Sequence, residues 1–219
     1  MKKLLVVLIV LVCFSASGIN VTEANQAASI AAAADVNVFM LIGENSDGSH
    51  QLWGSGTLIG ITETDAFGLV AGHSLKDEET GQMNAVSWCV SFDAALTPAW
   101  ADNAIEVTAI FFHPRQDVAL VKLAAAPRKA GTLLEPVEFY SGPLTTDMVI
   151  KICGYGVSIA PALSDPYYID PDPFSYKKRM ASGEYLRTGT PGEDFLSVGY
   201  VGYNSSLPIP GIAAFLDSG

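Results

Sequence analysis

Apolar and polar positions alternate with a period of two along much of the chain, which is typical of half-buried β-strands. In the stretch IEVTAIFFH, at 105–113, apolar side chains at every second position are separated by Glu106 and Thr108. The same kind of pattern, bounded by turn residues, predicts further strands at 36–43, 51–61, 67–73, 85–92, 117–124, 148–158, 179–187, 195–203 and 211–219. The polar turn between the first two of these predicts a β-hairpin. The periodicity therefore predicts an all-β protein.

Two strand-rich halves are predicted, separated by a connector rich in proline and glycine at 126–143. Short strands at close spacing in each half favour a pair of small barrels or sandwiches. We assign the first barrel to 36–125 and the second to 144–219. Ahead of them, the alanine-rich stretch at 25–35 is interpreted as a short helix, or as an unstructured leader or short propeptide that is removed.

The first residues have the pattern of an export signal. Lys2 and Lys3 provide the charged start, and 4–14 provide an apolar run of the length that such signals need. This run of 11 residues is too short to span a bilayer, so no stable membrane anchor is expected. Removal of a signal peptide at 1–24, with cleavage near 18–24, predicts a soluble protein that is secreted to the periplasm or the extracellular space.

The overall charge excludes one class of partner. Apolar residues make up 49% of the chain and charged residues 16%, and the formal net charge is −11. A nucleic-acid-binding protein needs a basic face, and the nearest candidate is the run at 177–179, which we interpret as a solvated loop. The aspartates within 160–178 lack the spacing of a calcium loop, so no metal or other cofactor is predicted. Two interpretations of Cys89 and Cys153 stay open, one disulfide or two buried free thiols.

Three segments carry residues suited to nucleophilic catalysis. The chain has only three histidines, and one of them, His73, ends an apolar run. Asp117 directly precedes an apolar strand, and Ser218 lies between Asp217 and Gly219. Each has a simpler interpretation when taken alone, since a histidine at a strand end is often only half-buried and hydrogen-bonded. Together they offer a base, a carboxylate and a nucleophile, because a serine hydroxyl needs an adjacent base to attack at neutral pH.

The sequences around these residues resemble the motifs of trypsin/chymotrypsin-like serine proteases. The segment from GSGTLI at 54–59 to His73 resembles the family's GSGTLI…VLTAAHC, and HPRQDVALVKL at 113–123 resembles HPxYDIALLKL. The separation of 44 residues between the histidine and the aspartate is close to the family's usual gap. ICGYGVS at 152–158 resembles the strand that opens the second barrel, and LDSG resembles the first part of GDSGGP. The resemblance extends over 36–219.

The resemblance implies an all-β, chymotrypsin-like fold of two six-stranded antiparallel barrels, with the second barrel incomplete at the C-terminus of this chain. It implies a secreted endopeptidase that cleaves a protein or peptide substrate by a Ser-His-Asp acyl-enzyme mechanism without a metal or cofactor. In the first barrel, His73 would act as the general base and Asp117 would orient its ring, and Ser218 of the second barrel would be the nucleophile. The backbone amides of Leu216 and Ser218 would form the oxyanion hole, and Ile212 would lie in the substrate pocket.

Several positions depart from the family's pattern. Leu216 replaces the glycine before Asp-Ser, and its Cβ opposes the backbone angles that an oxyanion hole uses. Ile212 is not acidic, so a preference for lysine or arginine substrates is not expected. Gly72 and Ser74 stand where many relatives have alanine and a bridged cysteine, and no Ile-Val-Gly-Gly start precedes the first barrel. The relatives continue beyond the position of Gly219, so we expect this chain to be a fragment or a degenerate relative with little activity.

Two other classes of function are alternatives to the enzyme. In the first, the chain is a non-catalytic serine-protease homologue that acts as a protein-binding module. In the second, it is an unrelated secreted β-sandwich whose motifs match by coincidence. An in-frame Gly-Pro or Ser-Pro and further strands encoded downstream would favour the enzyme.

Overall fold

β-Strands are the main secondary structure of the protein. The structure, a computed structural model, describes residues 19–21, 23–95, 100–139, 141, 148–155, 177–185, 201–202, 206–207 and 211–213. In these ranges the α-helices are α1 (Gln26–Ala33) and α2 (Gly72–Leu75), and 3-10 turns lie at Glu23–Asn25 and Trp100–Asn103. The strands are β1 (Ile19–Val21), β2 (Val38–Glu44), β3 (His50–Ile61), β4 (Ala66–Val70), β5 (Ser87–Ser91), β6 (Ile105–Phe112), β7 (Ala119–Leu123), β8 (Arg128–Lys129), β9 (Thr132–Leu133), β10 (Val149–Gly154), β11 (Arg179–Tyr185), β12 (Val201–Gly202) and β13 (Gly211–Ala213).

Six strands of the first half close into an antiparallel barrel. Their order is β2-β3-β4-β7-β6-β5, and β5 pairs back with β2. The hairpin expected around the polar turn is present, because β2 and β3 pair from Val38 opposite Thr57 to Glu44 opposite His50. The prediction of a small antiparallel barrel in the first half of a mostly-β chain is therefore confirmed for the described residues.

Alternate side chains of the strands fill the interior of this barrel. In β4 and β7 every second residue is buried, as their apolar alternation requires. The fully buried ring of Phe39 lies across β4, where a Cβ added to Gly68 would come within 2.5 Å of two ring atoms. Gly56 of β3 approaches the same ring, and a Cβ there would also lie 2.6 Å from Val70. The barrel can hold an aromatic ring at this point because both neighbouring strands have glycine.

The chain turns into one helical turn directly after β4. The sequence predicts a strand at 67–73 that ends on His73, but β4 ends at Val70 and the histidine lies in α2. The amide of Lys76 donates to the carbonyl of Gly72 at 3.0 Å and so closes this turn. The strand prediction is wrong for its last residues, because four residues are too few to show a helical period.

The connector expected at 126–143 packs on the barrel over its described residues. β8 and β9 form a short hairpin within it. The amide of Val137 donates to the carbonyl of Leu58 at 2.8 Å, and Asn37 Nδ2 donates to the carbonyl of Glu135 at 2.5 Å. The connector therefore leaves the barrel along β3 and the start of β2.

The second half contains antiparallel sheets in its described residues. β10, β11 and β12 form one sheet of three strands, and β1 pairs with β13. Among the strands described in this half, no closed second barrel is seen. A pair of hydrogen bonds joins this half to the first barrel: the amide of Tyr155 donates to Ser55 Oγ at 2.8 Å, and that hydroxyl donates to the carbonyl of Tyr155 at 3.1 Å.

Helix α1 is attached to β11. The buried hydroxyl of Ser29 donates to the carbonyl of Met180 at 2.7 Å and accepts from its amide at 3.1 Å. The carbonyl of Val36, which lies just after the helix, accepts a hydrogen bond from Lys178 Nζ at 2.8 Å. The stretch at 25–35, interpreted as a short helix or a leader, therefore forms a helix whose contacts lie about 150 residues further along the chain.

The basic run at 177–179 is not a solvated loop, and that prediction is wrong. Lys178 and Arg179 are 4% and 1% exposed, and β11 begins at Arg179. The ammonium group of Lys178 is satisfied by the Val36 carbonyl and lies 5.6 Å from the centre of the Tyr155 ring. Burial lowers the pKa of Lys178 below its ordinary value of 10.5.

Two cysteines, Cys89 and Cys153, are free in the structure. Cys89 and Cys153 both pack against the cluster of Val38, Met40, Ile42 and Tyr155. Burial raises the pKa of Cys89 to about 11 and that of Cys153 to about 12. Of the two interpretations of these residues, the structure shows the one with free thiols.

The predicted signal peptide lies largely outside the described residues, which begin at Ile19. β1 falls inside the segment where cleavage is predicted. None of the helices in the described ranges combines the length and the hydropathy that a membrane span requires.

Candidate active site

Neighbouring strands bring His73 and Asp117 to the same end of the barrel. β4 and β7 pair antiparallel, with Val70 opposite Ala119. His73 follows the end of β4 by three residues, and Asp117 precedes the start of β7 by two. Because the end of one antiparallel strand meets the start of its partner, the two residues lie together although they are 44 positions apart.

The Asp117 carboxylate holds His73 through both of its oxygens. Oδ2 lies 2.5 Å from Nδ1 of the imidazole, and Oδ1 accepts from the backbone amide of His73 at 2.7 Å. The carbonyl of His73 accepts from Asn84 Nδ2 at 2.8 Å. With a proton on Nδ1, the ring presents a basic Nε2. These contacts fix the position of the ring and favour the tautomer that a general base needs.

Gly72 leaves room for this carboxylate. A Cβ at Gly72 would come within 2.8 Å of Asp117 Oδ1, closer than ordinary contact. The rest of α2 is anchored in the barrel, since Leu75 is fully buried and Ser74 is 4% exposed. The backbone of the helical turn that carries His73 is therefore fixed by the buried side chains around it.

The pair is accessible to solvent. The side chain of His73 is 20% exposed and that of Asp117 is 34% exposed. Among the described residues no hydrogen bond involves Nε2 of His73. A ring nitrogen with these properties can take a proton from a group that approaches from outside the barrel.

Glu78 is a third member of the cluster, which the sequence reasoning missed. One ligand atom from each of His73, Glu78 and Asp117 lies within 4.8 Å of the others. Glu78 belongs to the loop between Lys76 and Met83, whose backbones form an isolated β-bridge. No sequence pattern marks Glu78, because it is one of several exposed acids in a polar stretch.

The remaining predicted site residues lie in the second half. Ser218 and Leu216, proposed as nucleophile and oxyanion-hole residue, fall outside the described residues. Ile212, assigned to the substrate pocket, is in β13, and its backbone pairs with Asn20 of β1. The structure therefore brings together two of the predicted residues, His73 and Asp117.

Comparison with known proteins adds no family to this picture. No protein-family model and no curated protein matches the chain. The resemblance to serine proteases therefore depends on the motifs and on the geometry of the His73–Asp117 pair.

Proposed function

We propose that the protein is a secreted, chymotrypsin-like serine endopeptidase that hydrolyses peptide bonds through an acyl-enzyme. One observation carries the proposal: at the end of a closed antiparallel barrel, Asp117 binds both Nδ1 and the backbone amide of His73. A histidine that is merely half-buried needs one hydrogen bond. Two contacts from one carboxylate, with no hydrogen bond to the other ring nitrogen among the described residues, suit the role of a general base.

In the proposed mechanism both proton transfers use Nε2 of His73, while Nδ1 stays hydrogen-bonded to Asp117. Ser218 Oγ attacks the scissile carbonyl carbon while His73 Nε2 takes its proton. Asp117 stabilises the imidazolium that results, and the ring then gives the proton to the leaving amine. Water deacylates the serine by the same route in reverse order. The amides of Leu216 and Ser218 are the proposed donors to the oxyanion.

The proposed fold adds a second antiparallel barrel that carries Ser218. Its supporting observations are the sheet of β10, β11 and β12 and the hydrogen bonds between Tyr155 and Ser55, which join that sheet to β3. In this arrangement the nucleophile approaches His73 from the second half, and a protein or peptide substrate binds between the two halves.

The test uses a fluorophosphonate probe, which reacts only with an activated serine. The product of the complete gene is compared with its Ser218→Ala and His73→Ala variants and with Ser46→Ala, which changes an exposed serine in the β2–β3 turn. We expect stoichiometric labelling of the parent and of Ser46→Ala, and loss of labelling in the other two. Cleavage of a peptide library, read by mass spectrometry, then separates a peptidase from an esterase.

Absence of labelling in the folded parent protein would overturn the proposal. If the parent protein does not react with the probe but binds partner proteins, that result would instead favour the non-catalytic, protein-binding homologue. Labelling that persists in Ser218→Ala would assign the nucleophile to another residue and would remove Ser218 from the triad.

A further inference from the structure

We propose that His73, Glu78 and Asp117 form a binding site for a divalent metal ion of the zinc class, and that the bound ion switches off the catalytic base. The metal site itself stands on the geometry of these three residues. Its inhibitory effect rests on the proposed peptidase function. The site lies at the mouth of the barrel and is open to solvent.

The donor set suits zinc in both chemistry and distance. One imidazole nitrogen and two carboxylate oxygens are ligands that Zn²⁺ accepts, and three protein ligands leave a position for water. The three ligand atoms lie within 4.8 Å of one another. Two ligands at about 2.1 Å from a tetrahedral ion are about 3.4 Å apart. Movements of about 1–1.5 Å by the exposed side chains of Glu78 and Asp117 therefore complete the site.

The charge of the cluster favours a cation. In the described part of the chain, the lysine–carboxylate ion pairs are Lys122 with Asp65 and Lys129 with Asp35, so neither Glu78 nor Asp117 pairs with a lysine or arginine. The formal net charge of −11 adds a favourable long-range field. Two carboxylates beside one imidazole thus provide negative charge that a divalent ion would neutralise.

The cluster is more than a group of surface acids, because its nitrogen ligand is held in place. The backbone of His73 is fixed on one side by Asp117 and on the other by Asn84. The ion therefore meets an imidazole whose backbone stays anchored by Asn84 when the Asp117 side chain moves. Such preorganisation reduces the ordering cost of binding.

Metal binding and base catalysis exclude each other at this site. Two ligands of a tetrahedral ion are about 3.4 Å apart, whereas His73 Nδ1 and Asp117 Oδ2 are 2.5 Å apart. An ion bound at Nδ1 must therefore displace the proton shared by this pair and push the two groups apart. With the ion on Nδ1, the ring loses the Asp117 contact that orients Nε2, so the imidazole no longer acts as the base.

The test measures binding of Zn²⁺ itself by isothermal titration calorimetry on the full chain. The informative variant is Glu78→Gln, and its matched control is Glu79→Gln, which removes the same charge from the neighbouring exposed residue. We expect one saturable site in the parent, affinity at least about tenfold weaker in Glu78→Gln, and affinity within about twofold of the parent in Glu79→Gln. His73→Ala should remove the saturable site. Circular dichroism confirms that each variant is folded.

Two results would overturn the inference: no saturable binding at millimolar Zn²⁺, or equal affinities of Glu78→Gln and Glu79→Gln. A second measurement tests the coupling to catalysis, since Zn²⁺ should protect the parent from the fluorophosphonate probe more strongly than it protects Glu78→Gln. The two proposals fail separately. Probe labelling without zinc binding removes only the metal site, and zinc binding without labelling removes only the peptidase.

Discussion

Replacement of Gly68 by alanine should destabilise the barrel through the ring of Phe39. The added methyl carbon would lie 2.5 Å from two atoms of that ring and 3.2 Å from Val121 Cγ2. Carbon atoms in ordinary contact are about 3.5–4.0 Å apart, so the ring must move by about 1 Å or more. Phe39 has 0% exposure, and Gly56 of the next strand contacts the same ring. The ring therefore has no free space to enter.

Overpacking of this kind lowers the free energy of unfolding by about 1–3 kcal/mol. Because Phe39 is completely buried, we expect Gly68→Ala to lie in the upper part of that range, at about 2–3 kcal/mol. For a protein of this size each kcal/mol lowers the melting temperature by about 2–4 °C. The expected decrease is therefore about 4–12 °C.

The measurement is unfolding by urea and by heat, followed by tryptophan fluorescence, because Trp53 and Trp88 lie in the barrel core. Gly60→Ala is the matched control, since a Cβ there would meet Phe67 only at 3.8 Å, and it should change stability by less than about 0.5 kcal/mol. Phe39→Leu removes the two ring atoms concerned, so in that background Gly68→Ala should cost less than about 1 kcal/mol. Equal effects of Gly68→Ala and Gly60→Ala, or an undiminished cost beside Phe39→Leu, would refute the reasoning.

Two further changes test the site and the buried lysine. From the proposed role of Asp117, Asp117→Asn should slow fluorophosphonate labelling by about 10⁴-fold, because the amide favours the wrong tautomer of His73. Asp65→Asn, which breaks only the ion pair with Lys122, should label at the parental rate, and equal rates for the two variants would contradict the role of Asp117. Burial lowers the pKa of Lys178 in the folded protein. Between this lowered pKa and the ordinary value of 10.5, the folded protein therefore binds fewer protons than the unfolded chain. Because of this difference, the contribution of Lys178 to the free energy of unfolding rises with pH over that range. Urea titrations should show a smaller rise of the free energy of unfolding with pH in Lys178→Met than in the parent. Equal slopes with pH in the two proteins would contradict the effect of Lys178.

Runs of apolar residues and apolar/polar alternation, bounded by turn residues, predicted the strands of the barrel. In β7 the period of two matches burial, because every second residue is buried. In β6 the alternation is lost after the register shift between Val107 and Ala109, and Phe111 is 55% exposed although the period predicts it to be buried. The polar turn before His50 likewise predicted the β2–β3 hairpin, whose strands are consecutive. Both features depend on residues close together in the chain, and their prediction needed no knowledge of distant contacts.

The details of the candidate site depend on contacts that no local pattern records. Helix α2 is a single turn, so its sequence resembles the end of a strand. Glu78 reaches the His73–Asp117 pair because its loop folds back through the bridge between Lys76 and Met83. Only a tertiary structure shows which of several neighbouring acids is the one beside the imidazole.

The prediction of a solvated loop at 177–179 was wrong for a different reason. Consecutive charges are usually exposed, because burial of an unpaired charge is costly. Lys178 avoids that cost through the carbonyl of Val36, about 140 residues earlier in the chain. The partner that makes burial tolerable is invisible in the local sequence, and the general rule therefore gave the wrong answer.

The attachment of α1 to β11 imposes an order on folding during synthesis. The last strand of the barrel ends at Leu123, so the barrel has all its strands well before Met180 is made. At about 5–20 residues per second, the roughly 60 residues between these points take about 3–12 s. During this interval Ser29 has no partner in β11, and the N-terminal helix must wait while the barrel closes behind it. Helix α1 is thus made before the barrel strands but can dock only after β11 has been made.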